Sequence, residues 1–307
     1  MPVTRAAAPK RLAVVGSGPA GLAFATTAAS RGHQVTLFEA HREIGGQFNI
    51  AKQIPGKEEF YQTLRYYSRQ LALLGVTVRL GETVSGNKLT GYDEVILACG
   101  ISPRLPDIPG IDHPSVLTYL DVLRDKKPVG SRVAIIGAGG IGFDTAEYLI
   151  HNGPSSSLSS RAFSHEWGSD QSLTQRGGLA PQGPQPEPAA RDIVLLQRKT
   201  TKVGAGLGKT TGWIHRASLL QRGVKMQNGV SYERIDDAGL HLIMNGERVC
   251  LAVDNIIICA GQEPQRALYQ PLQEAGKTVH LIGGADVALE LDARRAIEQG
   301  TRLALAI

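Results

Sequence analysis

Short apolar runs recur along the chain, each closed by a glycine-punctuated turn and followed by small residues at helical spacing. The first run is Leu12 to Val15, which leads into Gly16, Gly18 and Gly21 and then an alanine-rich stretch ending near Ser30. Four consecutive apolar residues before such a turn predict a buried strand, and the spacing after it predicts a helix. The string RVAIIGAGGIGFDTAEYLIHNG, from Arg132, repeats the unit, with Gly16 matched by Gly137 at a distance of 121 residues. A second match joins VILACGISP to IIICAGQEP, where Gly100 answers Gly261 at a distance of 161. The spacing has grown by 40, so the second copy carries an insertion. Composition places it at 152–190, 39 residues of which 22 are Gly, Pro, Ser or Gln and only Thr174 is β-branched. Such a segment cannot supply a central strand. It is expected to be either a flap held by Phe163, Trp167 and Leu179 or a mobile coil.

Strands that alternate with helices imply parallel sheets, and the duplication implies two of them. Gln34 to Ala40 is the second strand of the first copy, aligned with Arg191 to Lys199 in the second. Helix–strand pairs follow around Gly75 and Gly223. The last segment reads as a strand from Thr278, a Gly-Gly-Ala-Asp turn and a helix from about Leu291 with Ala293, Ile297, Gly300 and Ala304 as its small packing face. Because that strand lies beyond the second copy, it is expected to return to the first sheet. The predicted class is α/β, with two doubly wound Rossmann-like dinucleotide-binding domains, one of them discontinuous. An FAD-binding domain is expected over 10–110 and 262–307, and an NADPH-binding domain over 117–261.

Composition narrows the chemistry. Lys plus Arg exceed Asp plus Glu by only 5, and aromatics are 5% of the chain, which argues against a nucleic-acid surface. No apolar run reaches the roughly 18 residues of a membrane span, and MPVTRAAAPKR lacks the apolar centre of a secretory signal, so a cytoplasmic protein is expected. Cys99, Cys250 and Cys259 have no CxxC or metal-like spacing, which excludes a redox dithiol, a zinc ribbon or an iron–sulfur cluster held by this chain alone. Cys99 and Cys259 sit within apolar runs and are expected to be inert. Glycine is the outlier at 36 of 307 residues, against a usual ~7%.

In each glycine frame the first residue permits a tight turn, the second lets backbone approach a pyrophosphate, and the third lets helix and strand pack closely. Gly16, Gly18 and Gly21 are assigned to one dinucleotide, and Gly137, Gly139 and Gly142 to another. Glu39 ends the second strand of the first copy, where a carboxylate accepts hydrogen bonds from ribose hydroxyls and repels a 2′-phosphate. The second copy has neutral Gln197 in that register, followed by Arg198 and Lys199, so it is expected to prefer NADPH. Lys202 and Lys209 are supplementary phosphate candidates. FAD is expected in the first copy. At Gly45 and Gly46 the backbone can pass beside a bulky ring, Gln47 offers amide donors and acceptors to that ring, and Asp286 in the turn before the last helix can meet the flavin end. Gly100 and Gly261 close the matched strands and are assigned to the FAD and NADPH sites respectively.

Taken together, these residues resemble the pyridine nucleotide-disulfide reductase superfamily across essentially the whole chain. EIGGQFNIAKQIPGKEEFY, AIIGAGGIGFDTAEYL, GLGKTTGWIHR and LIGGADVALELDARRAIEQGTRLAL more narrowly resemble the C-terminal portion of the bacterial NADPH-dependent 2,4-dienoyl-CoA reductase family. That resemblance implies an N-terminal (β/α)8 barrel carrying FMN and a 4Fe–4S cluster as electron acceptor, for which 307 residues leave no room. It therefore implies an isolated C-terminal piece that takes electrons from NADPH and needs the barrel to complete the reduction of 2,4-dienoyl-CoA in unsaturated fatty acid oxidation.

Hydride transfer between stacked rings requires no side-chain nucleophile, so no catalytic residue is assigned. Trp213 and His215 are candidates to line the nicotinamide pocket, with buried packing the preferred reading. A stand-alone NADPH–flavin or ferredoxin-type reductase and a cofactor-bound docking module remain the alternatives.

Overall fold

A computed structural model of the chain describes residues 3–288 and 292–307. Two compact units result. The first comprises Met1–Lys52, Glu59–Ser102 and Gln262–Ile307, and the second Gln53–Glu58 and Pro103–Gly261. The chain begins with β1 (Arg11–Val15), α1 (Pro19–Ser30), β2 (Gln34–Glu39), α2 (Phe48–Ala51), α3 (Phe60–Leu73), β3 (Thr77–Leu80), β4 (Glu94–Leu97) and β5 (Ile101–Pro103). Next come β6 (Val116–Thr118), α4 (Tyr119–Leu123), β7 (Arg132–Ile136), α5 (Gly140–Ile150), α6 (Ser160–Trp167), β8 (Asp192–Leu196), α7 (Gly212–Gln221) and β9 (Lys225–Gln227). The remaining elements are β10 (Ser231–Asp236), β11 (Gly239–Met244), β12 (Glu247–Leu251), β13 (Asn255–Ile258), β14 (Gln262–Pro264), α8 (Tyr269–Glu274), β15 (Thr278–Leu281) and α9 (Ala293–Ala306).

The first sheet has the order β15-β4-β1-β2-β3 and is parallel throughout. The second, β6-β13-β7-β8-β9, repeats that order of roles and is also parallel. The last strand does return to the first sheet, where Thr278–Leu281 pairs with Glu94–Leu97, so the first unit is discontinuous. The apolar runs occupy the sheet centres. Leu12, Val14, Leu37 and Ile96 are fully buried in one unit, and Ile135, Leu195 and Ile257 in the other. Each such side chain contributes roughly 1.5–3 kcal/mol.

Small residues govern how α1 meets α9. A Cβ at Gly300 would lie 2.3 Å from the Ala20 carbonyl oxygen, so the two helix backbones touch there and Ala304 is fully buried beside them. The expected helix start at Leu291 lies outside the described residues; α9 begins at Ala293, and the Asp292 carboxylate caps it by accepting from the Arg294 N–H at 2.8 Å.

Sequence patterning did not reveal the antiparallel meander β10-β11-β12. Its inner face, with Ile235, Leu240 and Leu242, packs on the second core, while polar residues alternate on the outer face. The insertion folds onto the second unit, but of its three apolar candidates Phe163 and Leu179 do not pin it, since they are 46% and 64% exposed, while Trp167 is half-buried. Polar groups add to its attachment. Glu166 of α6 is buried and accepts from Arg222 at 2.8 Å, and the same guanidinium donates to the Glu187 carbonyl at 2.9 Å.

Candidate functional site

In the first unit the strand–turn–helix at Gly16 is shaped by backbone contacts that exclude side chains. Gly16 has φ of +103°, and a Cβ there would lie 2.3 Å from the Ala98 carbonyl oxygen; a Cβ at Gly21 would lie 2.0 Å from the Gly16 oxygen. At Gly18 a Cβ meets nothing within 4 Å. The second unit reproduces this arrangement: Gly137 has φ of +112° and 2.3 Å to the Cys259 oxygen, Gly142 has 1.8 Å to the Gly137 oxygen, and Gly139 is open. Two glycines of each triplet are thus required by the protein's own packing. The middle one faces free space at a helix N-terminus that no side chain caps. A cradle of this shape, lined by unpaired N–H groups and the positive end of a helix, fits a pyrophosphate.

Further residues assigned to the first cradle converge on the start of α1. A Cβ at Gly46 would lie 2.9 Å from the Gly18 Cα, and the Gly45 N–H donates to the Ser17 carbonyl at 2.9 Å. Gly283 approaches Ala20, and Gly284 lies against Gly100, where its Cβ would come within 3.2 Å of the Gly100 Cα. Gln47 is half-buried, with its amide unpartnered among the described residues. Asp286 accepts from the Gln299 amide at 2.7 Å, and the other end of Gln299 accepts from the Gly283 N–H.

Glu39 is 7% exposed and already engaged: one oxygen accepts from the Ser17 N–H at 2.9 Å and its hydroxyl at 2.6 Å, the other from the His41 N–H at 2.9 Å. A carboxylate offers about four acceptor positions, so this one locks the glycine turn to β2 and keeps capacity for a further donor.

In the second unit the Gly137 N–H donates to the Leu196 carbonyl, as the Gly16 N–H does to Phe38, which places Gln197 in the register of Glu39. Arg198, Lys199, Lys202 and Lys209 are exposed, and none has an ion-pair partner among the described residues. Gly261 has φ of +103°, and its carbonyl accepts from the Arg104 N–H. Sequence reasoning overlooked Arg104, whose guanidinium donates to the Ala260 carbonyl at 3.0 Å and so sets a cation at the end of β13. It also overlooked Lys57, which pairs with Asp144 of α5 at 2.6 Å. His215 is half-buried, and burial, then Lys57, hold its pKa below the ordinary imidazole value. Trp213, read as a packing residue, is instead 66% exposed, because the first turn of α7 presents it outward.

Cys99 donates toward the Val15 carbonyl, and burial pushes its thiol up to about 11; buried Cys259 is pushed up to about 12. Cys250 alone is exposed. A maleimide added to the folded chain is expected to modify Cys250 and to reach the other two only in denaturant. Peptide mapping that finds Cys99 labelled as fast as Cys250 would contradict this. Among the described residues no cluster of His, Cys, Asp or Glu is arranged to hold a metal, and no helix is long and apolar enough to cross a membrane.

The profile of the pyridine nucleotide-disulphide oxidoreductase family matches residues 10–292. A metal reductase of Desulforamulus reducens is 27% identical over 289 residues, covering 92% of this chain and 42% of that protein. An NADH oxidase of Thermoanaerobacter brockii is 30% identical over 290 residues, covering 92% and 39%. Among solved structures, a 2-naphthoyl-CoA reductase complex superposes with a TM-score of 0.83 at 24% identity, covering all of this chain and 41% of the other. The chain spans about two fifths of the length of these relatives.

Proposed function

This chain belongs to the pyridine nucleotide-disulphide oxidoreductase family, and on that premise we propose that it is an electron-input module that holds FAD in its first unit and NADPH in its second. The observation that carries the reading is the pair of matching cradles, each with its middle glycine open and its outer glycines closed by backbone. Gly16, Gly18, Gly21, Glu39, Gly46, Gln47, Gly100 and Asp286 would hold the flavin nucleotide. Gly137, Gly139, Gly142, Arg198, Lys199 and Gly261 would hold the nicotinamide nucleotide. When bound, the two cofactors supply hydride chemistry, from reduced nicotinamide to isoalloxazine. The chain's own residues bind and orient them, and the absence of a CxxC argues against a disulfide as the next acceptor.

That acceptor is then outside the described chain. The relatives are named for metal, for NADH oxidation and for an aromatic acyl-CoA, yet all align with the same region and extend well beyond it. A shared region with such different reactions is better suited to supplying electrons than to selecting the substrate. The resemblance to 2,4-dienoyl-CoA reductase makes an FMN and 4Fe–4S barrel our choice of acceptor and 2,4-dienoyl-CoA our choice of substrate. NADPH rather than NADH rests on Gln197, Arg198 and Lys199.

The purified chain, loaded with FAD and mixed anaerobically with NADPH, is expected to lose its yellow flavin absorbance. NADH should act more slowly. A chain that binds flavin but is not bleached by either nucleotide would be a docking module, and the electron-input reading would fail.

A further inference from the structure

The two copies use the residue at the end of the second strand in opposite ways. Glu39 accepts hydrogen bonds and is drawn toward its glycine turn. Gln197, in the same register, donates away from its turn and into the loop that follows it: its amide reaches the Lys199 carbonyl at 3.0 Å and the Thr201 carbonyl at 2.8 Å. From the strand side, the Asn228 amide donates to the Thr200 carbonyl at 2.6 Å and the Thr201 carbonyl at 3.3 Å. The Gly229 N–H adds a third contact, to the Lys199 carbonyl at 3.1 Å. Five hydrogen bonds thus converge on the carbonyls of residues 199–201.

This arrangement has an electrostatic consequence. Backbone carbonyls are the negative ends of the peptide groups, and here they are turned inward and neutralised by amide donors. The exposed side chains of Arg198 and Lys199 remain unpaired among the described residues. An anion that approaches meets cations without competing carbonyls, on a loop whose ordering cost has already been met within the protein.

With the loop at 198–201 taken as the 2′-phosphate site, we propose that Gln197 and Asn228 are positioning residues, which preorganise that loop as a clamp and set its selectivity without touching the ligand. The proposal rests on the NADPH reading and extends it. It assigns discrimination against the unphosphorylated nucleotide partly to two uncharged amides, one of them 31 residues beyond the other in the chain.

The test is calorimetric titration of the full chain with adenosine 2′,5′-bisphosphate and with ADP, which reads affinity independently of electron transfer. Wild type is expected to favour the 2′-phosphorylated probe by roughly tenfold or more, from charge-assisted contacts. Arg198→Ala with Lys199→Ala should erase that preference. Asn228→Leu, which removes the donors and adds no charge, should reduce it several-fold with ADP affinity unchanged and the salt dependence retained. Gln197→Met is the second donor-less variant, so that a folding defect in one, seen by thermal melting, leaves the other decisive. If the Arg198 and Lys199 pair controls the preference while both amide variants keep it at the wild-type value, the positioning role is wrong and the phosphate site stands. If wild type shows no preference, or the double variant keeps it, the phosphate site itself fails and the clamp with it.

Discussion

Gly18→Val is expected to accumulate as a folded chain that retains no flavin, whereas Gly21→Val, three residues on, is expected not to fold its first unit. The difference lies in what each added side chain meets. Gly18 has φ of −70° and ψ of −177°, which any residue adopts, and its Cβ would find nothing within 4 Å. Valine there costs the unliganded protein little, yet it fills the space in which backbone must approach a pyrophosphate. Flavin affinity should fall on the order of 100-fold or more, since steric overlap with a bound phosphate cannot be relieved by a rigid turn. At Gly21 the Cβ would lie 2.0 Å from the Gly16 carbonyl oxygen and 3.2 Å from the Ala98 side chain. The Gly16 carbonyl cannot yield without opening the β1 turn, and the several kcal/mol involved is a large share of a domain's ~5–15 kcal/mol. Gel filtration followed by flavin absorbance reads the first variant, and circular dichroism with thermal melting reads the second. A yellow Gly18→Val chain with wild-type flavin content would remove the basis for placing the dinucleotide on this turn.

What the sequence disclosed and what it concealed follow one physical division. Leu12 to Val15 and Arg132 to Ile136 were legible because a central parallel strand is apolar on both faces and the glycine after it has no substitute. The interlacing of the first unit was legible too, because Thr278 to Leu281 is a strand with no sheet left in the second copy to join. The meander at 231–251 was hidden because its pattern keeps no clean period of two: a register shift falls between Tyr232 and Arg234, Leu242 to Met244 run apolar without a break, and Arg234, Asp236, His241 and Arg248 give the outer face the look of a polar loop. Contacts between residues distant in sequence left no local trace: Glu166 and Arg222 are 56 positions apart, and nothing in a serine- and proline-rich segment marks one glutamate as buried. Gln197 shows the same limit at the site. Its neutrality was readable, but the direction of its amide depends on carbonyls arranged by the loop itself.

Arg222→Leu is expected to destabilise the second unit by about 3–5 kcal/mol, because it leaves the Glu166 carboxylate buried without its cation. Arg222 is itself buried, donates to Glu166 at 2.8 Å, and is the nearby positive charge for Glu147 of α5. Glu147 receives the Ser218 hydroxyl at 2.8 Å on one oxygen, while its other oxygen is buried without a partner. Burial pushes its pKa up to about 7, against the opposing pull of Ser218 and Arg222, with Glu166 and Asp144 adding to the rise. A carboxyl whose folded pKa exceeds its unfolded value binds its proton more tightly when folded, so it contributes stability at acid pH that is lost as pH rises toward and through 7. The size is about 3 kcal/mol for a shift of this order. His151 is held below the ordinary imidazole value mainly by burial, and acts in the opposite sense by costing stability as pH falls below that value. Glu147→Gln separates the two. Urea unfolding should find this variant more stable than wild type at pH 8 and nearly equal to it at pH 5. For Arg222→Leu the companion measurement is limited proteolysis, since losing the contacts to Glu166 and Glu187 should expose 152–190 to cleavage. Adding Glu166→Leu to it should recover part of the loss, because an apolar pair of similar volume replaces a broken ion pair at lower cost. A Glu147→Gln effect that is the same at both pH values would show that the carboxyl does not titrate across this range, and a double variant no better than Arg222→Leu alone would show that the guanidinium acts through something other than its buried partner.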